Sequence, residues 1–289
     1  GNVPLEKLAT ALGGVSFRMA MDFFEDICKI RAARKMWHDI LRDRYGITDE
    51  RATRLRIHIV TAGSAMTYQE PINNVVRGTV MGLSAVLAGV QSMGISAYDE
   101  ALSVPSEQAH QQSVRAQQIL MHETNLTAVT DPLGGSYYVE ALTAELEERA
   151  YGFMKEIENA GGFIAALESG MLHGVASENQ LRLEEMMGTG EREIVGVNVH
   201  TSDHDPFGID GFEGSIDAWE KGMQRLEKLR KERDSDAAKR AIADLESVCT
   251  NGGNVMEATM KAVGDDVTVG EIGEVYRNVF GSWKFPVSF

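Results

Sequence analysis

Basic residues are scarce in this 289-residue chain: 28 Lys and Arg stand against 43 Asp and Glu, a formal charge of −15. A surface that neutralises phosphates needs a basic face, so a nucleic-acid or anionic-membrane partner is excluded. Any phosphate-bearing ligand must be met by local basic residues. Cysteine is scarcer still, and Cys28 and Cys249 make no disulfide framework, which suits a reducing compartment. No apolar run approaches the ~20 residues of a membrane-spanning helix. The N-terminus lacks the charged and apolar regions of a signal peptide, and together these absences predict a cytoplasmic protein. No repeat of fixed period is present.

What is there is ordinary globular material, 43% hydrophobic and ample for a packed core. GGVSFRMA predicts a first strand. MDFFEDICKIRAARKMWHDILRDRYG carries apolar residues at helical spacing from Phe23 to Leu41, with Gly46 as its stop. A second strand is expected at Leu55 to Val60, a helix from Val75 to Val86, and a third strand near Ala88 to Ser96, so that parallel strands with crossover helices result. A helix from Pro105 to Glu123 with Pro105 in its first turn, a turn-rich loop around Asp131, Pro132, Gly134 and Gly135, and a helix from Ala141 to Asn159 follow. A helical pair broken at Gly170 then leads to EIVGVNV, read as a fourth strand. TSDHDPFGIDGFEG reads as a polar loop, the residues beyond it as charged helices, and SWKFPVSF as a tail.

Ligands sit at the carboxyl ends of strands in parallel α/β architectures. His58, Thr61, Gln91, Ser92, Ser96, Asp99 and Glu100 are therefore expected to crowd one rim. His200, Asp203, His204 and Asp205 have no rigid ligand spacing, so no metal site is expected.

The phrases HIVTAGSAMTYQEPINNVVR and GVQSMGISAYDEALSVP, with DFFEDICKIRAARKMW before them and DPLGGSYYVEALT, EIVGVN and TVGEIGEVYRNVFG after, resemble the methylmalonyl-CoA mutase family, the adenosylcobalamin-dependent acyl-CoA mutases. The resemblance implies a (β/α)8 TIM-barrel type fold, present here as its second half. About four strands would lie in residues 1–200, and a loop and helical extension in 201–289. It implies radical carbon-skeleton isomerisation of an acyl-CoA, with His58, Gln91 and Ser92 facing the substrate and His58 as the catalytic contact. Glu100 and Ser96 would meet the adenosyl group, Ser96 where relatives often carry Asn, while Gly63 and Ser64, and Glu100 with Ala101, lie where relatives approach the corrin.

Departures accompany the likeness. Val60 stands where relatives usually carry Gln, Ser64 where many carry Trp, and Leu12 and Gly14 fall opposite an Arg and a Ser of strand five; a shifted register brings Ser16 or Arg18 into play. The cobalamin-ligating Asp-x-His-x-x-Gly motif is absent, since Ser202 stands two places before His204. Adenosylcobalamin is then expected mainly on a separate domain or chain. The implied partners are an acyl-CoA, a cobalamin-binding subunit, and a first-half barrel polypeptide or another copy of this chain, because four strands cannot close a barrel. The isolated chain is expected to be inactive. The alternative is a non-catalytic assembly or regulatory module that keeps the mutase fold.

Overall fold

The computed structural model describes residues 3–202, 215 and 217–284. The chain divides into two compact units, Gly1–Phe212 and Glu213–Phe289. The first unit is α/β. Its strands β1 (Gly14–Met19), β2 (Arg56–Thr61) and β3 (Ser92–Gly94) form one parallel sheet in the order β1-β2-β3. The helices of this unit are α1 (Leu5–Leu12), α2 (Phe23–Asp39), α3 (Glu50–Thr53), α4 (Asn73–Leu87), α5 (Glu107–His122), α6 (Tyr137–Asn159), α7 (Phe163–Glu168) and α8 (Met171–Thr189).

Period-two alternation divides the sheet into two unlike faces. Val15, Phe17, Met19, Ile57, Ile59 and Met93 pack with Ile27 and Ile30 of α2 and Met81 and Ala85 of α4 into the main core. Gly14, Ser16, Arg18, Arg56, His58 and Ser92 are exposed on the other face. Among the described residues, crossover helices thus cover one side only. The helices lie side by side in the order α6, α2, α4, α5. Along α2, the helical turn Ile40–Arg44 that continues it, and α6, the contacts Cys28 to Val139, Arg31 to Glu140, Lys35 to Glu147 and Arg44 to Glu158 advance together, so the two helices run parallel.

The segment EIVGVNV is not a strand. Gly196 adopts φ +80°, and the Asn198 side chain accepts from Ile194 N at 2.6 Å and donates to Met187 O and Arg192 O. The run therefore folds on itself in a turn closed by a single Val195–Val199 bridge. The described residues hold three strands where four were expected. Other boundaries move for local reasons. Ser106 caps α5 by accepting from Ala109 N, which leaves Pro105 just outside the helix. Ser136 caps α6 through Val139 N, so that helix opens at Tyr137 and not Ala141. The third strand keeps only the centre of its expected span.

The second unit is helical: α9 (Ala218–Glu232), α10 (Ser235–Asn251), α11 (Val255–Gly264) and α12 (Val269–Phe280). Ala238, Ala241, Leu245, Cys249, Ala262, Ile272 and Val275 form its core. Arg233 holds Glu271 with two hydrogen bonds of 2.8 and 2.7 Å, and Glu271 closes a capping box with Thr268 at the start of α12. This carboxyl is held down to about 2 from an ordinary 4.5, chiefly by the Arg233 guanidinium. Most of the polar loop expected at 201–214, and the end of the expected tail, lie outside the described residues. No described helix is long and apolar enough to cross a membrane.

Candidate functional site

Strand register assembles the first part of the site. Ser16, His58 and Ser92 are direct cross-strand partners, one per strand, on the uncovered face. His58 Nδ1 lies 2.8 Å from Ser92 Oγ, so the hydroxyl orients the ring and leaves Nε2 for a ligand. The next row toward the carboxyl ends is Arg18, Val60 and Gly94. His58 stands three residues before the end of β2, in mid-strand.

The second part lies where the strands end. Thr61, fully buried, accepts from Ser96 N at 2.7 Å through Oγ1, while Ser96 Oγ donates to Thr61 O at 2.9 Å. This double exchange latches the end of β2 to the segment after β3. Gly63 then lies against Glu100: a Cβ built on Gly63 would come within 3.2 Å of Glu100 Oε1. A Cβ there would push the exposed Glu100 side chain back by a few tenths of an ångström, so glycine favours this close approach. Glu100, Ser64 and Ala101 are exposed, whereas Asp99 is fully buried and accepts from Ser106 N at 2.9 Å. Asp99 therefore holds the start of α5 while Glu100 faces outward.

Gln91 departs from the expected rim. It precedes β3, at the opposite end of the strand, where its side chain accepts from Ile57 N at 2.6 Å and donates to Gly89 O at 3.1 Å. The amide continues the sheet ladder where β3 is too short to do so. Ser92 also sits at the start of β3, joined to the site through His58 and not through the rim.

Sequence reasoning left Asn74 and Arg77 without a role. Both are buried. Asn74 accepts from Thr67 N at 3.0 Å and donates to Thr67 O and Tyr98 O, while Arg77 donates to Thr67 Oγ1, Asn74 Oδ1 and, at 2.7 Å, Val195 O. Burial lowers the Arg77 pKa from its ordinary 12.5. One polar hub thus ties the loop after β2, the loop after β3 and the 194–199 turn. Arg192, donating to Asp22 at 3.2 Å, carries the same turn toward the end of β1. The signal was in NNVVR: an Asn and an Arg three apart share one helix face.

The DPLGG loop serves packing. Arg31 of α2 pairs with Asp131 and, at 2.7 Å, with Glu140, which also accepts from Gly135 N at 2.9 Å. A cleft of ≈ 580 Å³ opens beside this clamp, lined by Arg31, Arg34, Lys35, Arg54 and Leu55 among others. None of the expected site residues lines it; the register of the strands, and not this cleft, defines the candidate site. Among the described residues no three His, Cys, Asp or Glu side chains converge as a metal site.

The family model described as methylmalonyl-CoA mutase matches residues 6–282. The chain is 38% identical over 272 residues to the methylmalonyl-CoA mutase of Cereibacter sphaeroides, an overlap of 94% of this chain and 38% of that protein. It is 34% identical over 268 residues to the 2-hydroxyisobutanoyl-CoA mutase large subunit of Aquincola tertiaricarbonis, covering 91% of this chain and 47% of the relative. With the methylmalonyl-CoA mutase of Escherichia coli it shares 32% identity over 274 residues, 93% of this chain and 38% of the other. The chain spans less than half the length of each of these relatives. Matched along nearly all of its own sequence, it belongs to the methylmalonyl-CoA mutase family.

Proposed function

We propose that this chain supplies the second half of a TIM-type barrel, over residues 1–200, with a helical extension over 201–289, in an adenosylcobalamin-dependent acyl-CoA mutase. The observation that carries the reading is the uncovered sheet face, polar along the Ser16–His58–Ser92 row and bordered by a rim that ends in Gly63 and Glu100. Exposed strand faces of this kind are otherwise filled by the remaining strands and side chains of a barrel. Among the described residues no strand pairs with the outer edges of β1 and β3, which suits pairing with a first-half polypeptide or a second copy.

His58, fixed through Nδ1 by Ser92, directs Nε2 at the thioester carbonyl and orients the acyl group. Gln91 acts behind it by holding β3 in register. At the rim, Gly63 allows a planar ring to approach backbone. Glu100 is exposed and, among the described residues, has no ion-pair partner, so its carboxylate is available to accept both hydroxyls of a ribose. Ser64 and Ala101 flank that approach, and Ser96 positions the rim through Thr61. These residues fit adenosylcobalamin, bound mainly by a separate domain or subunit. When bound, the coenzyme supplies the radical by homolysis of its cobalt–carbon bond. The protein's own part is to bind and orient the acyl-CoA and to exclude water once the barrel is completed.

The test is co-expression with a first-half polypeptide and a cobalamin-binding subunit, followed by coenzyme-dependent isomerisation of an acyl-CoA panel. Turnover that falls about a hundredfold or more in His58→Ala is expected, as for loss of a positioned polar contact to a reacting group. A stable assembly without turnover on any member would overturn the enzymatic reading. It would favour the module, consistent with a Gln91 amide already engaged by backbone.

A further inference from the structure

We propose that the cleft bordered by α2, α3 and α6 is a second ligand site, one that binds a diphosphate group and is separate from the open sheet face. The cleft, ≈ 580 Å³, lies against helices of the covered side, and neither the Ser16–His58–Ser92 row nor the Gly63–Glu100 rim lines it. Its volume is that of a small-molecule site and exceeds what a single phosphate fills. In a chain with 43 acidic residues against 28 Lys and Arg, four cations meet here: Arg31, Arg34, Lys35 and Arg54.

The four are not equivalent. Arg31 is clamped by Asp131 and Glu140, and Lys35 is paired with Asp39 and Glu147. Arg34 and Arg54 form no ion pair among the described residues. Arg34 Nη2 donates to Ala88 O and Gly89 O, both at 3.0 Å, where α4 ends. Gly89 O also accepts from Gln91. These bonds hold the guanidinium in place and leave its Nη1 and Nε without a protein acceptor among the described residues. Arg54 is exposed and makes no side-chain hydrogen bond among the described residues.

Two further observations point to an anion. Burial, and then the neighbouring Arg31 charge, push the Arg34 pKa below its ordinary 12.5, as for a cation that nearby carboxylates leave unbalanced. On the same wall Arg31 Nε is buried and has no hydrogen-bond partner. A guanidinium fork takes phosphate oxygens in pairs, so two unspent forks match two linked phosphates. Asp131 and Glu140 do not oppose such a ligand, because Arg31 already neutralises them. Glu50, exposed at the start of α3 and unpaired among the described residues, is the lining carboxylate that does.

Calorimetric titration of the full chain with pyrophosphate at low salt, where exposed charges are least screened, is the test. Saturable one-to-one binding is expected, and it should persist with CoA at saturation. ADP carries the same group on a nucleoside, and the tighter of the two in parallel titrations identifies the source. Arg34→Gln and Arg54→Gln should each weaken binding about tenfold or more, the range of a charged hydrogen bond. Arg149→Gln, which removes an exposed arginine of α6 away from the cleft, should leave it unchanged. Glu50→Gln should tighten binding about two- to fivefold by removing a like charge, a gain that loss of folding does not produce. No binding of either probe, equal affinity in wild type and Arg54→Gln, or displacement of pyrophosphate by CoA would overturn the assignment, and each leaves the mutase reading of the sheet face intact.

Discussion

Gly78→Ala isolates the contact by which α4 is fitted to the rim. On an exposed helix interior, alanine for glycine gains about 0.8–1 kcal/mol in helix propensity. Here the new Cβ would stand 2.8 Å from Cγ2 of Ile95, itself buried in the segment after β3. Cγ2 is fixed to the β-carbon, so relief requires a χ1 change or a backbone shift. Overpacking of this sort costs about 1–3 kcal/mol, and the net expectation is a loss of about 1 kcal/mol. Gly82 is a gentler case. Its Cβ would meet the terminal Cδ1 of Ile95 at 2.7 Å, which χ2 rotation can move, so Gly82→Ala should fall nearer zero. Trp37 lies in the first unit and donates to Ala52 O at 3.1 Å, while Trp219 and Trp283 are exposed. Urea titration by fluorescence in a Trp219→Phe, Trp283→Phe background therefore follows unfolding of the first unit alone. Ile95→Leu conserves volume and removes the branch methyl; in that background Gly78→Ala should change sign and stabilise by up to about 1 kcal/mol. A stabilising Gly78→Ala with Ile95 intact would refute the packing argument.

Other consequences are equally specific. The depressed Glu271 carboxyl contributes stability that is complete above its unfolded value near 4.5 and is lost as pH falls through about 2. With screening allowed for, the loss is about 1–3 kcal/mol; acid titration of helix content in the second unit should show it, and Glu271→Gln should flatten the profile. Arg77→Met removes the hydrogen bonds to Thr67, Asn74 and Val195. It should destabilise the first unit by about 2 kcal/mol and speed proteolytic cleavage within residues 191–199; unchanged protection there would count against the hub.

The parallel strand–helix–strand pattern was legible because β-branched runs, turn residues and helical spacing agreed along residues 14–94. EIVGVNV reads as a strand because a short apolar run has no periodicity of its own, yet Gly196 and Asn198 outweigh its β-branched residues and fold it back. Pro105 drew the α5 boundary two residues early, although Ser106 offered the better cap. Of the candidate site, the His58–Ser92 pairing was implicit in two strands whose register no sequence reveals. Gln91 seemed equivalent to Ser92 by adjacency, yet neighbouring strand residues have opposite faces to serve, and its amide went to the ladder. The hub around Asn74 and Arg77 was hidden because its partners are mainly backbone carbonyls and amides, which carry no mark in the side-chain alphabet.

The reciprocal bonds between Thr61 and Ser96 have a mechanical meaning. Neither of the loops that continue from them can swing outward alone without surrendering both bonds in one step, so Gly63 and Glu100 travel as a jaw with a common hinge. A bulky group wedged at one side is thereby felt at the other, and the width of the opening follows from a buried threonine that no ligand needs to touch.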